Sequence, residues 1–185
     1  ADLGERVRQA VELLVHEVLS KSSLPAEIDN RSLYIAATRT VMRLVVVLFA
    51  EAREDLLPRD NAVYYNSYSL EGLHHFLDSA GQGAGRDRLR DRYGAWPRIL
   101  ALFHLLHGGS HHERMPIPEY GGGLFEPGDS ESEDGISRAL ALFEDPAHSP
   151  EDAVVLKLLS RIPMAYAKVR QGKGTKDILA PVDFA

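Results

Sequence analysis

Four histidines, His104, His107, His111 and His112, fall within nine positions, and Glu113 follows them directly. Imidazole nitrogens and a carboxylate oxygen are ligands that zinc takes in tetrahedral sets. His104 and His107 share a helix face, so a His-based metalloprotein is one chemistry to weigh. The spacing is not that of an HExxH helix, however, and Gly108–Gly109 break the geometry between the two pairs. The plainer reading is a set of solvated or capping histidines near a helix C-terminus, where the dipole favours positive charge.

Other stretches approach known chemistry and stop short. "DSESEDG", Asp129 to Gly135, starts like an EF-hand loop, but Asp134 stands where that loop needs glycine and Leu140 where it needs glutamate; a mobile acidic loop is expected. "RQGKGT", Arg170 to Thr175, has the lysine of a phosphate-binding loop, but Gly174 follows it and the first glycine is missing. It is no ATP site. Lys168, Arg170, Lys173 and Lys176 could still touch DNA phosphates, which demand charge more than fixed geometry. Arg86, Arg88, Arg90 and Arg92 alternate with Asp87 and Asp91. On a helix Arg86 and Arg90 align, and Asp87 can pair with Arg90, giving a self-neutralised face with phosphate contact as a minor role. No Gly-x-Ser-x-Gly elbow, paired-carboxylate arrangement or cofactor loop appears, since "GQGAG" lies between helices. No catalytic and no cofactor-binding residue is assigned.

"IPEYGGGLFEP", Ile117 to Pro127, places three glycines before a Leu-Phe pair. Acidic neighbours disfavour a phosphate there. The expected role is an ordered connector: Tyr120, Leu124 and Phe125 pack onto helices while Gly121–Gly123 turn the backbone through conformations that other residues avoid. Valine at Gly122 or Gly123 is then expected to destabilise the fold.

The elements that carry these residues follow from periodicity. The chain has 185 residues, 44% hydrophobic and 26% charged, without cysteine, which suits one soluble domain and excludes disulfides and thiolate sites. A net charge of −6 argues against a nucleic-acid coat over the whole surface. No signal peptide is visible, and Arg39 and Arg43 inside the greasiest run argue for a core helix over a membrane span. A cytoplasmic location is expected. Ala1 at the start and "APVDFA" at the end suggest a piece cut from something longer.

Leu3 to Val18 read as an amphipathic helix; Asp29 or Asn30 caps a helix from Arg31 to Arg53, with Arg39 and Arg43 on one face. The tyrosine-rich stretch after it reads as turns. Ser69 caps Leu70 to Asp78, Gly81–Gly85 is a flexible joint, and Arg86 to Tyr93 is helical in pattern. Pro97 to His107 forms a helix ended by glycine, Gly135–Phe143 a short one, and Ser149 with Pro150 opens another. No alternation sustained enough to build a sheet follows Pro163. The expected fold is mainly α, a single helical domain over residues 1–185 with long ordered loops and little or no sheet.

Three stretches in order carry a resemblance: "RLVVVLFAEAREDLLPRDNAVYYNSYSLEGL" (Arg43–Leu73), "AWPRILALFHLLHGG" (Ala95–Gly109) and "IPEYGGGLFEP". Together they resemble the helical N-terminal or connector region of Type IIG-like adenine-specific DNA methyltransferases, including those of restriction-modification and of the DISARM and BREX phage-defence systems. The signature loop is Tyr120, Gly122, Gly123, Leu124 and Phe125; the family pattern has asparagine at Gly121. The resemblance implies a catalytically silent module upstream of a core that binds S-adenosylmethionine and carries an Asn-Pro-Pro-Tyr/Phe motif. It implies DNA as a partner, bound weakly by this chain alone, and the parent's other modules as further partners. A pure protein–protein scaffold is the alternative, with Tyr64, Tyr65, Tyr68, Leu124 and Phe125 as aromatic or apolar anchors.

Overall fold

Asp29 starts the element around which the rest is arranged. Its carboxylate accepts the Ser32 amide at 2.6 Å and opens α2, Asn30–Ala52. The greater part of this helix is apolar and inward: Leu33, Ala36, Ala37, Val41, Leu44, Val45 and Leu48 are all fully buried. Among the described residues it is the one helix long and apolar enough to cross a membrane, and 61% of that apolar window is buried inside the protein. The computed structural model describes residues 3–21, 23–53, 55–120, 122–162, 164–171 and 174–181; residues 84–86 and the last two segments are described by backbone alone.

Around α2 stand α1 (Leu3–Lys21) and α6 (Gly135–Glu144), with α4 (Leu70–Gly81) against its C-terminal part. Short α3 (Ala62–Ser67) precedes α4; α5 (Ala95–Gly108) and α7 (Asp152–Arg161) complete the bundle, α7 packing on α1, α4 and α5. The stripe Ala10, Val11, Leu14, Val15 and Val18 buries α1 as its 3–4 residue spacing predicts. Trp96 of α5, 1% exposed, donates its indole N–H to the Phe143 carbonyl at 2.9 Å and so joins α5 to the end of α6.

A buried carboxylate organises the α3–α4 corner. Glu51, fully buried, accepts the Tyr64 hydroxyl (2.8 Å), the amides of Leu70 (2.9 Å) and Glu71 (3.0 Å), and the more distant Ser69 hydroxyl. The first turn of α4 thus receives carboxyl oxygens where its free N–H groups need acceptors. Arg98 of α5 faces the same corner, donating to the carbonyls of Tyr65 (3.2 Å) and Ser69 (3.0 Å). Burial pushes Glu51 up to about 7, against the pull of its donors.

The mainly α reading holds, with local corrections. Residues 164–171 and 174–181 form an antiparallel hairpin, β1 (Met164–Gln171) and β2 (Gly174–Pro181), Met164 opposite Pro181 and Gln171 opposite Gly174; β2 runs beside α2. In the sequence Ala165, Ala167 and Val169 alternate with Tyr166, Lys168 and Arg170, but side chains this small mute the apolar signal. The charged stretch after Gly81 is not an α-helix. It runs as a 3-10 helix, Gly83–Leu89, with Arg90 extended and Asp91 at φ 57. Its glycines disfavour an α-helix, and among its described side chains Leu89 alone is in the core, so no apolar stripe holds a longer one.

The tyrosine-rich stretch holds α3, capped by Asn61, whose side chain accepts the amides of Val63 and Tyr64. Ser149 does not cap α7. Its hydroxyl donates to Pro146 and its carbonyl accepts Lys21, leaving α7 to begin after Glu151. Asp152 instead accepts the Ala95 amide at 2.9 Å and caps α5 across the fold.

Removing the Glu51 carboxylate leaves several buried donors without a partner. Glu51→Ala is expected to cost about 3–5 kcal/mol in chemical denaturation. The pH dependence has a definite sign. The folded value lies above the ordinary 4.5, so the folded state holds this proton more tightly than the unfolded one. Its stabilisation is complete below about 4.5 and is lost as pH rises to about 7. Melting curves from pH 5 to 8 should show the wild type losing ground to Glu51→Gln as pH increases; a gap independent of pH overturns this.

Candidate functional site around Arg43 and the glycine loop

The loop between α5 and α6 is fixed from both ends. Gly109 closes α5, and Ser110 and Ile117 exchange two backbone hydrogen bonds of 2.8 and 2.9 Å. The Tyr120 amide then donates to Leu106 and its hydroxyl to the Leu56 carbonyl, so the loop is tied to α5 and to the segment after α2. Gly122 follows at φ 111, a backbone conformation that L side chains rarely adopt. Phe125 turns into the core, 6% exposed, with its ring 6.1 Å from that of Phe103.

Arg43 is the reason this irregular segment is ordered. The side chain, 1% exposed in the middle of apolar α2, reaches the loop backbone with its guanidinium. Nε donates to Leu124 O at 2.5 Å, Nη2 to Glu126 O at 2.7 Å and Nη1 to Glu144 Oε1 at 2.7 Å. Glu144 passes the constraint on, its other oxygen accepting the Gly128 amide at 2.8 Å. The guanidinium also lies 5.3 Å over the Phe103 ring. Burial pushes Arg43 below its ordinary value and Glu144 opposes the shift; an arginine stays protonated regardless. Gly128 is where the loop meets α6 most closely: a Cβ there would lie 2.3 Å from the Ala141 amide nitrogen.

This arrangement can clamp backbone and neutralise charge. Its donors point at the protein's own carbonyls, so the node is a structural clamp rather than an exposed anion site. The connector role of Tyr120, Leu124 and Phe125 is what the structure has, with one change. Gly122 needs its glycine, whereas a Cβ at Gly123 meets nothing and its φ is unremarkable in sign.

The other sequence candidates are scattered. His104, His107, His111 and His112 are all exposed, and His112 Nδ1 accepts the Arg114 amide at 3.1 Å. Among the described residues no group of three or more such side chains could hold a metal ion. Arg90 pairs with Asp87 at 3.5 Å, both exposed, but the 3-10 path gives Arg86 and Arg90 no common α-helical face. The side chains of Arg86, Lys168, Arg170 and Lys176, and all of Lys173, lie outside the described residues. The stretch read as a mobile acidic loop is a series of turns: Asp129 accepts Glu131 N, and Asp134 caps α6. Arg39 and Arg43 part company, Arg39 at the surface and Arg43 inside. Of the apolar and aromatic anchors suggested for a scaffold, Tyr64 and Phe125 belong to the core.

Glu51, Glu144 and Asp152 were not legible as partners in the sequence. A carboxylate at or near a helix end was the available signal; which buried donor each would meet depends on tertiary packing.

Arg43→Met should destabilise the fold by about 3–5 kcal/mol, because Glu144 and two carbonyls lose their donor. Arg43→Lys should rescue little, since a single ammonium does not reproduce the fork; hydrogen exchange should be fastest to rise at the amides of 124–128. Gly122→Val should cost about 1–3 kcal/mol from backbone strain, whereas Gly123→Ala should stay within about 0.5 kcal/mol of wild type. Equal effects of the two glycine changes in urea denaturation would refute the assignment. In comparisons with known proteins, no family model, no curated protein and no solved structure matches this chain.

Proposed function

We propose that this chain is a non-catalytic helical module of a Type IIG-like adenine-N6 DNA methyltransferase from a restriction-modification or phage-defence system. It helps to position DNA or connects the parent's modules in the cytoplasm. On this reading S-adenosylmethionine and the Asn-Pro-Pro-Tyr/Phe motif belong to a separate catalytic core. Methyl transfer to a stacked base requires that the base be flipped out. A rigid flanking module contributes by holding the duplex still.

One observation supports this reading above the others. The three stretches that carry the resemblance are far apart in sequence, yet all meet at one buried node. Arg43 comes from the first, Phe103 from the second, and the Leu124 and Glu126 carbonyls from the third. A shared pattern whose parts support one another physically has a reason to recur as a unit.

Two measurements test the reading. On this reading the gene encodes Asn-Pro-Pro-Tyr or Asn-Pro-Pro-Phe outside residues 1–185, and its full product should methylate adenine in duplex DNA. The isolated chain should retard a duplex weakly, with retardation falling about tenfold or more between roughly 50 and 200 mM salt. Lys168→Glu with Lys176→Glu should weaken it further. An open reading frame lacking the motif sinks the family assignment, and no retardation at low salt sinks the DNA-contact part.

A further inference from the structure

The solvent side of α2 carries a groove of about 520 Å³ whose lining includes Arg31, Tyr34, Ile35, Arg39, Met42 and Leu124. Three properties set it apart. Among the described residues no carboxylate lines it, although the chain as a whole is acidic. Neither arginine side chain comes within 4.0 Å of a carboxylate among the described residues, though the charge of Arg31 acts on Asp29, two residues before it. Tyr34 stands 48% exposed at the groove, a large ring among Ile35, Thr38, Met42 and Leu124. The rival groove between α4 and α7 presents Arg90 and Lys157 but also Asp78, which cancels part of their field.

Spacing gives the groove a direction. Arg31 and Arg39 are eight residues apart on one helix, about 12 Å along its axis, and at about 100° per residue Tyr34 and Arg39 stand on opposite flanks of the groove. Thr38 donates its hydroxyl to the Tyr34 carbonyl at 2.8 Å. Two cations and an exposed aromatic ring around one groove are the elements of a site that holds phosphates and stacks a base. Arg31 is exposed and Arg39 half-buried, whereas Arg43, one turn beyond Arg39, gives its charge to the loop.

We propose that this groove binds single-stranded nucleic acid, with one base stacked on Tyr34 and phosphates held by Arg31 and Arg39. The site deepens the nucleic-acid part of the function proposed above and moves the contact to residues that the resemblance does not single out. Leu124 of the glycine loop forms one wall, so the loop clamped by Arg43 shapes the groove.

The test is fluorescence anisotropy with a labelled strand of fifteen thymidines and a second of fifteen uridines, at about 50 mM KCl where phosphate contacts are strong. Binding of either strand is expected, and preference between them identifies DNA or RNA as the source. Arg31→Glu with Arg39→Glu should weaken binding about tenfold or more. Tyr34→Ala should weaken it about five- to a hundredfold and Tyr34→Trp should restore it, with melting temperatures unchanged because all three side chains reach the surface. Failure of both strands to bind overturns the site, as does binding unaffected by the double arginine variant. If these variants instead dissolve a dimer of the chain or release an acidic peptide, the groove is a protein interface and the proposal fails. Failure here alongside an Asn-Pro-Pro motif in the gene leaves the methyltransferase reading standing; binding here without that motif does the reverse.

Discussion

A guanidinium taken out of water must be given back what water supplied, and the environment of Arg43 is built to do so. Desolvating a cation costs several kcal/mol, and only well-placed acceptors recover it. Three acceptors surround Arg43: two carbonyls from an irregular loop and one carboxylate from α6. Each would be costly to leave unpaired. The loop therefore has no comparably favourable alternative to the path it follows, and the order of residues 124–128 is imposed from inside the bundle.

Glu51 plays the complementary part at the other end of the same helix. It lies eight residues beyond Arg43, about 12 Å along α2, and gathers donors where Arg43 gathers acceptors. Between them the two buried side chains decide which segments approach the apolar side of the helix. Apolar contact alone favours any neighbour of suitable shape. A buried donor set and a buried acceptor set distinguish the start of α4 from the glycine loop, and each fixes its own partner. The stability of the whole comes from the apolar surface, and its arrangement from these two side chains.

The helices were legible because their signals are local. The stripe of α1, the Asp29 and Ser69 caps, the glycine end of α5 and the extent of α6 all lie within a few residues of the element they specify. What escaped depended on distance. Ser149 had the sequence context of a cap but was claimed by Pro146, while Asp152 capped a helix that begins 57 residues earlier. Arg39 and Arg43 looked equivalent by spacing, yet one faces water and the other the loop, a difference set by where residues 124–144 return. The alternating arginines and aspartates after Gly81 promised a helical face and lacked the buried stripe needed to hold one. For the same reason the candidate site was only half visible: the glycine loop stood out, and the arginine that orders it did not.

The indole of Trp96 gives the molecule an optical handle. It is the single tryptophan of the chain, and its N–H is bonded to the carbonyl at the end of α6 while its ring sits in the core. Glu144, the carboxylate that holds Arg43, is the very next residue after that carbonyl's Phe143. The emission of one chromophore therefore reads the α5–α6 seam at the point where the buried charge is anchored, without any label being introduced.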